Sequence, residues 1–211
     1  MRCVLLVMVS LGAVVACGSD MQVTPTAVGW MEWPAEVAPA TPFPVRLRGG
    51  DDLPCVRREL VVGPSIDSSL VTFEPYFLHR EGEQPCLPLA AQQFDLLVPV
   101  YWDTTVTAPG LSADHGTYEM RAKAYDNVRT FGEIVVGVEP TGRINAGGGA
   151  AVARDTNGCM RVKPGGVSTG YVLENPPDTV SQWSAFVQGY LYDATTPVCG
   201  ETRVFHLVSR N

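Results

Sequence analysis

Basic side chains are scarce in this sequence: 15 Lys and Arg stand against 22 Asp and Glu, a formal net charge of −7 over 211 residues. There is no long basic run. The chain therefore lacks the clustered cations that neutralise phosphates, which argues against sequence-independent nucleic-acid binding. Histidine is scarcer still, with three residues, none of them in a G-x-S-x-G elbow. No C-x-x-C pair occurs among the six cysteines, so a four-cysteine metal site lacks its usual short spacings. Beyond residue 20 no segment sustains apolar residues at i, i+3, i+4 and i+7, the signature of an amphipathic helix. Only 18% of residues are charged and 45% are hydrophobic, which excludes an acidic disordered tail and a coiled coil. The 21 glycines and 17 prolines are aperiodic, which excludes collagen and points to many turns. The length suits one or two domains.

The one sustained apolar run lies at the start, over residues 4–15, interrupted only by Ser10 and Gly12 and preceded by Arg2. About 12 helical residues span roughly 18 Å, well short of the ~30 Å hydrocarbon core of a bilayer. A charged start, a short apolar run and small residues at its end mark a signal peptide. Its last residues, Val14-Val15-Ala16-Cys17, resemble the lipobox of bacterial lipoproteins. That resemblance implies cleavage of residues 1–16, a diacylglycerol thioether on Cys17, and acylation of the new amine by a chain such as palmitate. One acyl chain binds a membrane marginally, and two or more anchor stably. Residue 18 is Gly and not Asp, so the same resemblance implies an outer-membrane destination, facing the periplasm or the cell surface. Residues 17–26, small, polar and apolar by turns, read as the lipidated cysteine and a short tether.

The remainder reads as all-β. Phe43, Val45 and Leu47 alternate with Pro44, Arg46 and Arg48, and Phe94, Leu96, Val98, Val100 and Trp102 repeat the pattern. Tyr118, Met120, Ala122 and Ala124 alternate with Glu119, Arg121 and Lys123. Residues 27–33, 56–62, 70–78 and 131–138 supply further strands, about seven in all. Asp114-His115-Gly116-Thr117-Tyr118 resembles the D-x-G-x-Y signature of immunoglobulin-like domains. The resemblance implies an Ig-like sandwich over residues 27–140, with Asp114, Gly116 and Tyr118 forming a tyrosine corner. Met120 stands where antibody domains carry Cys, so the inter-sheet disulfide of that family cannot form at this position.

After Glu139-Pro140-Thr141-Gly142 the composition changes. Ala146-Gly147-Gly148-Gly149-Ala150 and Lys163-Pro164-Gly165-Gly166 read as turns or bulges, and Asn157-Gly158 suits a hairpin. Strands are predicted at 149–154, 159–163, 171–173, 184–193 and 202–209. Five strands with an insertion between the third and fourth resemble a small OB-like barrel, which would occupy residues 141–211. The alternative is that these strands extend one larger sandwich. With Cys3 in the signal and Cys17 lipidated, four cysteines remain, and an even number in an exported protein reads as two disulfides. Of three pairings, Cys55–Cys86 with Cys159–Cys199 keeps each bridge inside one proposed domain.

Catalytic signals are thin. His79 and His115 sit at a strand end and a corner, whereas His206 lies in the last strand, near Tyr190 and Tyr192 on neighbouring strands. Asp51, Asp52, Glu81 and Glu83 are acids on loops, and Gly147-Gly148-Gly149 lacks the lysine of a P-loop. Phe186, Tyr190 and Tyr192 share one face of a strand whose other face carries Val187 and Leu191, so the aromatic face must meet the first domain or another protein. Trp30, Trp33, Trp102 and Trp183 are core or binding aromatics. The reading is a lipid-anchored envelope protein with a non-catalytic binding or structural role, needing no cofactor or metal. Its expected partners are the membrane and an envelope protein or glycan. The alternative is a secreted-type inhibitor or small hydrolase on disulfide-stapled β domains.

Overall fold

The computed structural model describes residues 21–51, 59–62, 64–67, 69–80, 92–100, 115–165, 170–176 and 182–211. Among these residues there are sixteen strands and no helix, so the protein is all-β, as the alternation predicts. The strands begin with β1 (Met21–Pro25), β2 (Ala27–Pro34), β3 (Glu36–Val37), β4 (Phe43–Asp51), β5 (Glu59–Val61) and β6 (Pro64–Asp67). There follow β7 (Leu70–Phe73), β8 (Tyr76–Arg80), β9 (Gln92–Val100), β10 (Gly116–Ala124) and β11 (Asn127–Val136). The last five are β12 (Ile144–Arg154), β13 (Met160–Pro164), β14 (Tyr171–Leu173), β15 (Gln182–Val198) and β16 (Glu201–Arg210).

Three sheets result, ordered β1-β8-β5, β3-β11-β10-β7-β6, and β13-β14-β16-β15-β12-β2-β4-β9. In the largest, β12 also pairs with β13, so β12, β13, β14, β16 and β15 close into a ring. Within the ring β14 and β16 run parallel and the other pairs run antiparallel. Closure removes the open edges that strands otherwise present.

Two cores follow from the alternation. The first joins Met31, Val45 and Leu47 from one sheet to Phe73, Met120 and Ile134 from another, a sandwich-like packing. The second fills the ring with Val152, Val162, Val187, Leu191 and Phe205. Strand β2 serves both, since Met31 and Trp33 enter the first core and Trp30 the second. Burial on both faces makes Trp30-Met31-Glu32-Trp33 a continuously buried run rather than an alternating one.

Several sequence expectations change. The stretch 70–78 is two strands in different sheets, β7 and β8, separated at Glu74-Pro75. Proline supplies no N–H to a ladder, and its carbonyl instead accepts from Thr26 N at 2.9 Å. Residues 21–25, read as part of the tether, form β1 and pair antiparallel with β8. The run 146–150, read as a turn or bulge, lies inside β12. There β12 forks: its first half pairs with β2 up to Gly148, and its second half pairs with β13 from Ala150. A Cβ on Gly148 would lie 2.2 Å from the Gly29 carbonyl oxygen, so at this position only glycine lets β2 approach so closely.

The hairpin at Asn157-Gly158 is present. Asp155 Oδ1 accepts from Asn157 N at 2.9 Å and Cys159 N at 3.0 Å, and Gly158 takes φ +81°. Cys159 and Cys199 form a disulfide across 6.1 Å between Cα atoms, tying this turn to the β15–β16 turn. Cys17, Cys55, Cys86 and Asp114 lie outside the described residues. Gly116 opens β10, and Tyr118 is buried in the first core, where burial pushes its phenol pKa up.

Candidate functional site

The aromatic face of β15 divides between two tasks. Phe186 packs on Phe131 of β11, ring centroids 5.6 Å apart, so part of that face meets the first core. Tyr190 and Tyr192 stay half-buried on the outside of the ring. Tyr190 stands opposite Asn145 on one side and His206 on the other. Arg143, just ahead of β12, lays its guanidinium 4.0 Å from the Tyr190 ring centroid. His206, from β16, stacks on that ring at 4.9 Å and 18°. The two approach from opposite neighbouring strands and flank the phenol ring.

Glu174 follows β14 directly, its N–H donating to Phe205 O at 3.0 Å. Its Oε2 lies 2.7 Å from His206 Nδ1, and its Oε1 accepts from the Tyr192 hydroxyl. A carboxylate only accepts, so Nδ1 carries the proton. Asn175 extends the ladder with its side chain: Oδ1 accepts from Leu207 N at 2.8 Å and Nδ2 donates to Leu207 O at 2.9 Å. Nδ2 also lies 3.5 Å from His206 Nε2. The result is an imidazole oriented by an acid, with His206 and Glu174 side chains 32% and 33% exposed and so open to solvent. Among the described residues no hydroxyl or thiol hydrogen-bonds to it, so none of these residues stands as the nucleophile of a hydrolytic triad.

The Tyr192 hydrogen bond first, and the His206 contact second, hold the Glu174 carboxyl below its ordinary range. The carboxylate raises the Tyr192 phenol in turn, to about 12. A depressed carboxyl contributes stability above its unfolded pKa, and that stability is lost as pH falls through the folded value. Melting temperature should therefore drop in the acid range, with a shallower drop in Tyr192→Phe. Identical acid slopes for the two proteins would contradict this assignment.

Beside Tyr190 opens a groove of about 590 Å³ between the five-stranded sheet and the ring. One side is built by Glu36, Glu119, Glu133 and Val135, the other by Arg143, Tyr190 and Val208. Its floor is held by side-chain donors. Trp33 Nε1 and Asn145 Nδ2 both donate to Glu133 O at 2.9 Å, and Gln188 Nε2 donates to Phe131 O at 3.0 Å. Phe131 is the extra residue of a bulge, since Met120 pairs with Gly132 and Arg121 with Thr130. The bulge frees its carbonyl for the ring strands.

Glu119 and Glu133 face each other directly across β10 and β11, a like-charge pair that costs stability. Arg121 Nη2 at 2.6 Å, together with Thr130, compensates Glu119 and holds its carboxyl below the ordinary range. Glu133 has no cationic partner among the described residues. Among the described residues Glu36 accepts only from the Thr141 hydroxyl, at 2.5 Å.

Of the residues singled out from sequence, His206, Tyr190 and Tyr192 come together, as their strand positions suggested. Trp30 and Trp33 are core residues, and His115 is an exposed residue ahead of β10. Asp52, Glu81, Glu83 and Trp102 lie outside the described residues. Glu174, Arg143 and the three groove glutamates were not singled out. Glu174 carried one usable signal, its place next to a short strand, whereas the glutamates meet only through pairings that sequence does not display. Among the described residues no group of three or more potential ligands is placed to hold a metal. Comparison with protein-family models, curated proteins and solved structures finds no match in any of the three.

Proposed function

We propose that this is a lipid-anchored cell-envelope binding protein, held to the outer membrane through Cys17 and engaging a partner in the groove between its sheet and its ring. The observation that carries the anchor is Val14-Val15-Ala16-Cys17 at the end of a short apolar run. The start of β1 at Met21 leaves only a few residues after Cys17 as a tether, so the body would sit close to the bilayer. Binding rather than catalysis is favoured because the groove is large and rigidly floored, while the Glu174–His206 pair has no nucleophile among the described residues. The Ig-like and OB-like readings fit this role. Sandwich-like packing precedes a five-stranded ring whose fourth strand follows an insertion after Leu173. Both architectures host many functions, so the site and not the fold carries the argument.

The test is fractionation of cells expressing Cys17→Ala. The variant should leave the membrane fraction, and persistent membrane association would refute the anchor. A second reading, a small hydrolase, rests on the acid-oriented imidazole of His206 alone.

A further inference from the structure

Accepting the groove as the binding site, we propose that it seats an extended basic segment of a partner protein. Lysine or arginine side chains would be directed at Glu36 and Glu133, with an apolar side chain between Val135 and Val208. Three observations converge on that occupant. Three carboxylates line the groove against one guanidinium, and that guanidinium already lies on Tyr190. Across from Glu119, which Arg121 already meets, Glu133 has no compensating cation of its own among the described residues, so it is the carboxylate left open to a cation from outside. Val135 and Val208, 36% and 67% exposed, put apolar surface beside those charges. A partner strand alternating basic and apolar residues matches this mixture.

Sugar stacking fits less well. The Tyr190 ring is flanked by Arg143 and His206, and Trp33 is 2% exposed, so neither offers a free aromatic face. An anionic occupant would face the glutamates with only Arg143 to meet it.

The test uses the full chain in detergent and two fluorescent pentapeptides, one alternating valine with lysine and the other valine with glutamate. The lysine peptide should bind at least roughly tenfold tighter, as charge complementarity requires. The E36Q/E133Q variant should remove that preference, and so should about 0.5 M salt, which screens exposed charges. Equal affinity for the two peptides, or an unchanged preference in E36Q/E133Q, would overturn the proposal. V208R separates this failure from failure of the groove itself. Position 208 is exposed, so a new arginine there fills the groove without disturbing either core. If V208R loses binding of a peptide that the parent chain holds but the lysine peptide shows no preference, the groove binds something of other chemistry. If V208R binds the lysine peptide as tightly as the parent chain does, the groove is not the site. Self-association of the chain that V208R abolishes would place a second copy there and also overturn the proposal.

Discussion

Gly148→Ala is expected to destabilise the protein by more than about 4 kcal/mol, a large fraction of the stability of a typical domain. Two costs coincide at this position. Its φ of +147° is a conformation that a residue with a side chain rarely adopts. Its Cβ would also lie 2.2 Å from Gly29 O and 2.7 Å from the Trp30 Cα, both backbone atoms of β2. Trp30 cannot retreat cheaply, because it pairs with Gly148 of β12 on one side and Arg48 of β4 on the other, and Gly29, the extra residue of the β2–β4 bulge, is tied to it. Moving it would open the junction where the ring joins the rest of the sheet.

Neighbouring glycines supply the controls. Gly149→Ala meets only Gly29 O, at 4.0 Å, and should change stability by about 1 kcal/mol or less. Gly142→Ala has a φ of +77° but open space, so it should cost only the backbone strain, about 1 kcal/mol. Urea denaturation of the three variants decides the matter. If Gly148→Ala behaves like Gly149→Ala, the fork of β12 between two strands is wrong.

The same fork shows why part of the fold was legible and part was not. Period-two alternation marked β9 and β10 because each buries one face, with Val98 and Met120 inward, and marked β4 through Phe43, Val45 and Leu47 although Arg48 on its other face is buried as well. The strand β14 was located to the residue because Tyr171-Val172-Leu173 is apolar between turn-forming neighbours. Local rules failed where a distant strand sets the requirement. A triple glycine is a turn by propensity, and becomes a strand only because β2 and β13 crowd one side of β12. Residues 21–25 lack a convincing pattern, and their pairing is supplied by β8, fifty or more positions away in sequence. The site divides in the same way. Tyr190, Tyr192 and His206 were visible as neighbours on the last two strands. Glu174 and the groove glutamates were not, because a lone acid on a loop or an outward strand face has the same local sequence whether solvated or engaged.

Arg48→Met should be nearly as damaging as the change at Gly148, with an expected loss of about 3–5 kcal/mol from breaking a buried ion pair. Arg48 and Glu32 are 4% and 7% exposed, on adjacent strands β4 and β2, and are placed 3.0 Å apart. Glu32 Oε1 also accepts from Trp30 Nε1 at 2.9 Å and from the Tyr171 hydroxyl at 2.5 Å. Arg48 in turn donates to the Tyr171 hydroxyl at 3.1 Å, and its Nε lies 3.3 Å from Asp95 Oδ2. Burial foremost, then the Glu32 charge, pushes the Tyr171 phenol up to about 12, so it remains a donor at neutral pH.

This network is where β14 of the ring meets β2 and β4. Removing the arginine leaves the Glu32 carboxylate buried without its counter-charge, and desolvation of that charge is the larger part of the cost. Removing both charges should therefore hurt less than removing one. The variant R48M/E32Q removes both charges but keeps an oxygen acceptor for Trp30 and Tyr171, and it is expected to be more stable than R48M alone, despite carrying an additional substitution. Urea denaturation at neutral pH of the two single variants and the double completes the cycle. A double variant that loses the sum of the single losses would mean that the two side chains act independently and that the ion pair contributes no coupling of its own.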